Sequence, residues 1–292
     1  MTLMTRSFFL ITILTVLAGC STAPPTTPPI AQKASSVSQS PIVVANRIVS
    51  LNSLSTDIIS QLNKNKLVGI TGSKLLDQNP DLKDLPRVAE GRTPPNLEKI
   101  VALKPDLVIG SEGFHDQALN QLKSMGIKTL TTTNTDFAVL KDLTKILATA
   151  TGSDPGLLLK RYDSWTKPRS NPVSVLVIAG YQPILSPNKT SWAGDMLQRS
   201  SLTNLTADLQ GESPQRGFVT LSPEKILEVN PDRLILVDTG DGTVEKYKAS
   251  PFWSQLRAVQ TNQIHTFDYY GLVNPGSLDS IEKAYQKLNS EI

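Results

Sequence analysis

Short runs of consecutive apolar residues recur along the chain, and the segments between them carry helical spacing. Together they predict strands alternating with helices. In the first half, Arg47 to Leu51 reads as a strand, Thr56 to Leu62 as a helix and Leu67 to Ile70 as a strand. Asn96 to Ala102 then reads as a helix and Leu107 to Ile109 as a strand. Asp116 to Met125 forms a helix ended by Gly126, and Lys128 to Leu130 a strand. In the second half, Val173 to Ile178 is a strand, Ser191 to Arg199 a helix, Pro223 to Val229 a helix and Arg233 to Val237 a strand. Phe252 to Ala258 reads as a helix, Ile264 to Phe267 as a strand and Ser277 to Leu288 as a final helix. Such alternation implies mostly parallel sheets covered by helices on both faces.

The chain repeats itself. Leu97-Glu98-Lys99-Ile100 followed by Pro105-Asp106 and Ile109 returns as Pro223-Glu224-Lys225-Ile226 followed by Pro231-Asp232 and Ile235. The Glu, Lys, Ile, Pro, Asp and second Ile recur at one offset. Each copy is a helix, a Pro-Asp turn and a buried strand. The period is too long for a solenoid and fits two similar lobes. Between the lobes, Asp136 to Trp165 is helical and broken at Thr151-Gly152-Ser153. There Asp154-Pro155 starts a second helix, with Leu158, Tyr162 and Trp165 on one face. These patterns divide the body into a first lobe over 42–135, a helical region over 136–168 and a second lobe over 169–292.

Ahead of the body, Arg6 precedes an apolar run from Phe8 to Val16 that closes on Leu17-Ala18-Gly19-Cys20. A basic start, a short hydrophobic stretch and small residues are the layout of a secretory signal over residues 1–19. The run is too short to span a bilayer as a stable helix. Leu17-Ala18-Gly19-Cys20 also has the form of a bacterial lipobox, in which the Cys becomes the first residue and carries acyl chains. An ordinary signal peptide with a chance Cys at its cleavage site has the same outline. Residues 20–41 are rich in Pro, Ser and Thr and read as an extended tether. This layout places the body in the periplasm or at the cell surface.

Composition narrows the chemistry. Cys20 is the only Cys of 292 residues, which excludes an internal disulfide and thiol catalysis in the body. A formal net charge of +3 without a basic run gives no support for nucleic-acid binding. There is no Gly-x-Ser-x-Gly elbow and no phosphate-cradling glycine loop, so no catalytic residue and no cofactor is expected. With only two His, His115 and His265, a bare metal-ion site is a poor fit. A loop His115 or Tyr270 could still meet haem iron axially.

The segments Arg47-Ile48-Val49-Ser50-Leu51, Thr56-Asp57, Asn96-Leu97-Glu98-Lys99-Ile100, Leu103-Lys104-Pro105-Asp106-Leu107-Val108-Ile109 and Met125-Gly126-Ile127 resemble a known family. It is the helical-backbone class of bacterial substrate-binding proteins, which serve ABC importers of ferric siderophores, haem and vitamin B12. The resemblance covers the whole body. It implies an α/β fold with two Rossmann-like lobes of mostly parallel sheet, joined by a single long connecting helix over Asp154 to Trp165. The ligand cleft lies between the lobes, and lobe motion is limited. The implied partners are a ferric siderophore or similar chelate, ABC permease subunits, and the membrane through a lipid anchor only. The protein is expected to act as a monomer.

Open parallel sheets bind ligands beyond the carboxyl ends of their strands. The loops there hold Arg92, Phe114, His115, Tyr181, Trp192, Arg216, Tyr269 and Tyr270. Arginine offers forked donors to chelate oxygens, and aromatic rings cover apolar ligand faces. Arg92, Trp192, Arg216 and Tyr270 are the leading candidates, with Tyr181 and Phe114 after them. Arg92 and Arg216 each precede one copy of the repeat helix and are expected to clamp an anionic ferric chelate from opposite lobes. The resemblance also implies a permease-docking carboxylate on an early helix of each lobe. Asp57 fills the first position. The second falls at Gln198, with Asp195 one turn earlier as a substitute. Two alternatives follow: cobalamin or haem on the same scaffold, or a lipoprotein sensor or adhesion domain that has lost transport.

The N-terminal reading predicts that Cys20 is the lipid attachment point. Replacing Cys20 with Ser is expected to shift the protein out of the membrane fraction or leave it unprocessed. Equal processing and equal membrane association of wild type and Cys20→Ser would place the anchor elsewhere.

Overall fold

The structure, a computed structural model, describes residues 43–90, 93–167, 169–211 and 213–292. The signal run, the lipobox with Cys20, the Pro-rich tether and Arg92 lie outside the described residues. The strands are β1 (Ile48–Ser50), β2 (Leu67–Gly72), β3 (Arg87–Glu90), β4 (Leu107–Ser111), β5 (Lys128–Thr132), β6 (Val173–Ile178), β7 (Ile184–Pro187), β8 (Leu202–Asn204), β9 (Phe218–Leu221), β10 (Arg233–Asp238) and β11 (Ile264–Asp268). The helices are α1 (Ser53–Asn63), α2 (Lys74–Asp77), α3 (Leu97–Ala102), α4 (Asp116–Ser124), α5 (Phe137–Thr151) and α6 (Gly156–Asp163) before β6. After it come α7 (Trp192–Arg199), α8 (Pro223–Val229), α9 (Thr243–Lys248), α10 (Arg257–Gln260), the kinked α11 (Tyr269–Leu272) and α12 (Leu278–Glu291).

The first lobe is a parallel sheet in the order β3-β2-β1-β4-β5. The second is a parallel sheet in the order β11-β10-β6-β8, accompanied by an antiparallel pair of β7 and β9. The central strands β1, β4, β6 and β10 are almost wholly buried, as the unbroken apolar runs require. The expected mostly parallel α/β architecture is therefore present. The β7–β9 pair falls in segments read from sequence as loops. Its strands are only four residues each and end in Pro187 and beside Gly217, so no period could develop. The helix expected over Phe252 to Ala258 is instead a 3-10 turn, Trp253–Gln255, and the short α10. Leu256 between them is extended and fully buried in the second lobe's core, which stops the helix.

The repeat is visible in the backbone. Lys104 and Asn230, one residue before each Pro-Asp, both take left-handed conformations, with φ of 48° and 37°. In each copy the Asp then ties the turn to the neighbouring strand. Asp106 accepts from the backbone N–H groups of Asn46 and Arg47 at 2.7 and 2.9 Å. Asp232 accepts from the Ser174 hydroxyl and pairs with the Arg257 guanidinium. An arginine closes each turn as well: Arg47 donates to the Leu103 carbonyl at 2.7 Å and Arg257 to the Asn230 carbonyl at 3.0 Å. The shared geometry supports duplication more strongly than the identities alone.

The link between the lobes is the helical region expected, broken at Gly152: its first helix, α5, packs on α1 of the first lobe, and its second, α6, lies within Asp154 to Trp165. Helix α5 is 15 residues long and α6 only 8 residues long. Gly152, with φ of 68°, ends α5, and Asp154 accepts from Gly156 N–H at the start of α6. Eight residues rise about 12 Å, so an irregular segment completes the crossing to β6. Packing also ties the lobes together. One continuous apolar cluster joins Ile58 and Leu130 of the first lobe to Val177 and Leu197 of the second. Phe137, Tyr162, Trp165 and Tyr285 sit at its centre. Phe137 meets the other three edge-on, with centroids at 6.2 to 6.3 Å. The Arg199 guanidinium lies 3.8 Å from the same ring.

Removing that ring leaves a cavity where α5, α6, α7 and α12 meet. Phe137→Ala is expected to lower the unfolding free energy by about 3–5 kcal/mol, measured by chemical denaturation. A loss below about 1 kcal/mol would show that the lobes do not share one core.

Candidate functional site

The carboxyl ends of β6, β10 and β11 converge on a cleft of about 1240 Å³. Its second-lobe lining includes Ala179 and Gly180 after β6, Asp238 and Thr239 at the end of β10, and Asp268, Tyr269 and Tyr270 after β11. Helix α12 adds Ser280, Lys283 and Lys287, and Gln215 enters from the segment before β9. The first lobe supplies Asp57 and Gln61 of α1, Leu75 of α2, and Gln78 to Pro80. The lobes touch beside Tyr270: a Cβ at Gly276 would collide with Leu75 of the first lobe and the Tyr270 ring of the second.

Tyr270 keeps 41% of its surface exposed and stands edge-on to Tyr269, with centroids 5.4 Å apart. Its position is set by Gly271. Gly271 has φ of 98°, and a Cβ there would run into the Ser280 carbonyl of α12. The Gly271 carbonyl accepts the Trp192 indole N–H at 2.8 Å, and its N–H donates to the Asn274 carbonyl at 2.7 Å.

Charges in the described lining are mixed. Asp57, Asp238, Asp268 and Asp279 face Lys283 and Lys287. Asp279 is paired with Arg161 at 2.6 Å. Burial pushes the Asp57 carboxyl above its ordinary value, although the Leu278 N–H and Gln61 both donate to it.

The sequence candidates are distributed unevenly. Tyr269 and Tyr270 line the cleft as expected. Arg216 is exposed, and its neighbour Gln215 takes the place in the lining. The expected two-arginine clamp is therefore not assembled by the described residues. Trp192 is not a cleft residue. It is buried at the first position of α7, with its indole committed to Gly271, so it positions the turn that presents Tyr270. Phe114 is exposed in the turn after β4 and lies edge-on to His115 at 4.9 Å, outside the lining. Tyr181 lies edge-on to Tyr247 at 5.2 Å and is packed on the second lobe's core.

His115 is buried, and its Nδ1 accepts the Ser111 N–H at 2.9 Å. Burial also pushes its pKa down, so the imidazole caps the turn in its neutral form, with Nδ1 committed to the Ser111 N–H. Among the described residues no group of three His, Cys, Asp or Glu is placed to hold a metal ion. Asp57 and Asp195 are half-buried, each bonded to a backbone N–H of a helix from elsewhere in the fold, while Gln198 is exposed. The lining from α12, Asp238 and Asp268 was missed. The signal available was the spacing of Lys283 and Lys287, four residues apart and hence on one helix face.

The sequence and the fold are similar to those of known proteins. A sequence profile of the periplasmic binding protein family matches residues 48–154 and 158–270. The chain is 27% identical over 240 residues to YvrC of Bacillus subtilis, described as an uncharacterized ABC transporter substrate-binding lipoprotein. That match covers 76% of this chain and 72% of YvrC. It is 26% identical over 251 residues to the vitamin B12-binding protein of Vibrio cholerae, covering 82% of this chain and 87% of that protein. The crystal structure of the periplasmic heme binding protein HutB of Vibrio cholerae superposes with a TM-score of 0.68 at 23% identity. It covers 84% of this chain and 97% of HutB.

The Gly271 geometry generates a test. Gly271→Ala places a methyl against the Ser280 carbonyl at a positive φ. It is expected to cost about 1–3 kcal/mol and to displace Tyr270 from the cleft. Chemical denaturation reads the first effect and tyrosine accessibility to nitration the second. Wild-type stability in the variant would mean that α11 and α12 are not held in contact there.

Proposed function

The chain belongs to the periplasmic binding protein family, and from that premise we propose that it is the substrate-binding component of an ABC importer for a bulky metal chelate. A ferric siderophore is the leading ligand. The protein receives the chelate outside the cytoplasm, held to the membrane by lipid on Cys20, and passes it as a monomer to the permease without chemical change. The observation that carries this reading is the 1240 Å³ cleft lined from both lobes, with Tyr269 and Tyr270 beside mixed charge. A cleft of that size suits a chelate better than a bare ion. Two tyrosines give apolar faces with polar edges.

The charge of the lining refines the ligand. With Asp279 paired to Arg161 and Asp57 bonded to the Leu278 N–H, Asp238 and Asp268 stand against Lys283 and Lys287, a balanced lining that disfavours a polyanionic chelate. A neutral or cationic ferric hydroxamate fits better than a ferric catecholate. Cobalamin is the second reading. It is favoured by the 26% identity, over 82% of the chain, to a vitamin B12-binding protein. Haem on the same scaffold comes next.

Calorimetric titration with a cationic ferric hydroxamate, an anionic ferric catecholate, cobalamin and haem tests the proposal. The hydroxamate or cobalamin is expected to bind at least about tenfold tighter than the catecholate. Tyr270→Ala is expected to weaken the best ligand about threefold to tenfold. Preference for the catecholate would overturn the charge reading. Binding of none of the four would overturn the importer reading.

A further inference from the structure

Two helix starts in this protein are completed from the opposite lobe, and they are completed in the same way. Helix α5 follows the last strand of the first lobe, and its first N–H, on Phe137, donates to Asp195 of α7 in the second lobe at 3.0 Å. Helix α12 follows the last strand of the second lobe, and its first N–H, on Leu278, donates to Asp57 of α1 in the first lobe at 2.7 Å. Helices α1 and α7 are the first helices of their lobes. The exchange is reciprocal: the first helix of each lobe holds the start of the helix that closes the other.

Neither helix needs the foreign carboxylate in order to start. Asp136 caps α5 by accepting the Val139 N–H at 2.9 Å, and Ser277 caps α12 by accepting the Ser280 N–H at 3.3 Å. The N–H that each Asp takes is one that water could satisfy at an exposed helix end. What the two carboxylates add is a hydrogen bond between lobes.

We propose that Asp57 and Asp195 are paired latches that hold the two lobes in register, and that lobe separation opens both together. The shared aromatic cluster around Phe137 lies beside the α5 latch and couples it to α12 through Tyr285. The groups facing each latch are known. Asp57 is bonded to Gln61, which in turn accepts from Arg161 of α6. Arg161 also holds Asp279 and Glu282 of α12, and Tyr162 lies near. Asp195 is faced by Arg199 of its own helix, by Asp136 and by Tyr285.

The latches have a pH dependence whose sign follows from burial. Loss of water raises both carboxyl pKa values in the closed arrangement. In an open arrangement the carboxylates are hydrated and return toward the ordinary value. The closed state then binds protons more tightly than the open one. Protonation favours closure, and opening becomes easier as pH rises through the closed-state pKa.

Hydrogen exchange read by mass spectrometry on the full chain tests this. Asp57→Ala is expected to speed exchange in the first turn of α12 by about tenfold to hundredfold. It is also expected to speed exchange in the first turn of α5, whose own cap and latch are untouched. Asp195→Ala is expected to do the converse. Asp57→Asn with Asp195→Asn keeps an acceptor at each site and removes the charge. That double variant is expected to fold and to lose the pH dependence that wild type shows after correction for intrinsic exchange. An Asp57→Ala effect confined to α12 would reduce the pair to two local caps and overturn the latch. So would equal pH dependence in wild type and the double Asn variant.

Discussion

The start of α5 is where the two lobes become one body. Phe137 presents its ring to Tyr162, Trp165 and Tyr285 and takes a guanidinium on its face, while its N–H is held by Asp195. Ring and backbone of one residue thus bind the linking helices, the second lobe's first helix and the C-terminal helix at once. Side chains packed to crystal-like density have few alternative arrangements, so a hinge here cannot flex gradually. It either keeps these contacts or breaks several together.

A cleft held open by a shared core is largely preorganised. The ligand then does not bear the cost of ordering the walls, and more of its contact energy appears as affinity. The same logic extends to the charged groups at the interlobe seam, which are only partly buried. Arg161 is fixed by Glu282 at 2.9 Å and by Asp279 at 2.6 Å, and it reaches Gln61 across the lobes. Ion pairs this accessible to water add little net stability, because solvent screens their attraction. They do favour one alignment of α1, α6 and α12, since the Arg161 fork meets Gln61, Asp279 and Glu282 together only there. Their contribution is to register.

Much of the fold was legible because parallel, doubly covered strands are unbroken apolar runs. Val173–Ile178 and Pro223–Val229 were bounded from sequence as the structure has them. Edge strand β3 was not, because Arg87 and Glu90 interrupt its short run. The site was much less legible. Tyr270 could be placed at a strand end, and it lines the cleft. Trp192 also sat at the expected height, yet its indole turned inward to Gly271, a choice fixed by the approach of α11 to α12 and by nothing local. Arg216 shows the same limit: the loop was identified, but which of its side chains faces the cleft depends on the β7–β9 pair that shapes it. Asp57 and Asp195 were read from sequence as permease-docking carboxylates, and their bonding partners within the fold lie 221 and 58 residues away in sequence.

Duplication gave the lobes a common scaffold, and the cleft shows where they diverged. Both copies keep the helix, Pro-Asp turn and strand, down to the left-handed residue before the proline. Only the second lobe carries the β7–β9 pair and the Tyr269–Tyr270 turn, and it is also covered by α12. Much of the second lobe's lining follows from those additions, whereas the first lobe contributes one face of α1 and the short segment around α2. A ligand seated here reads mainly the second lobe, and the first fixes the distance at which it is read. Substitutions at Asp238, Asp268 or Tyr270 then change which ligand is preferred. Substitutions at Asp57 or Leu75 change how firmly the opposing wall is held. The division follows from geometry: the additions that define a surface lie on one side, and the contacts that hold its spacing cross to the other.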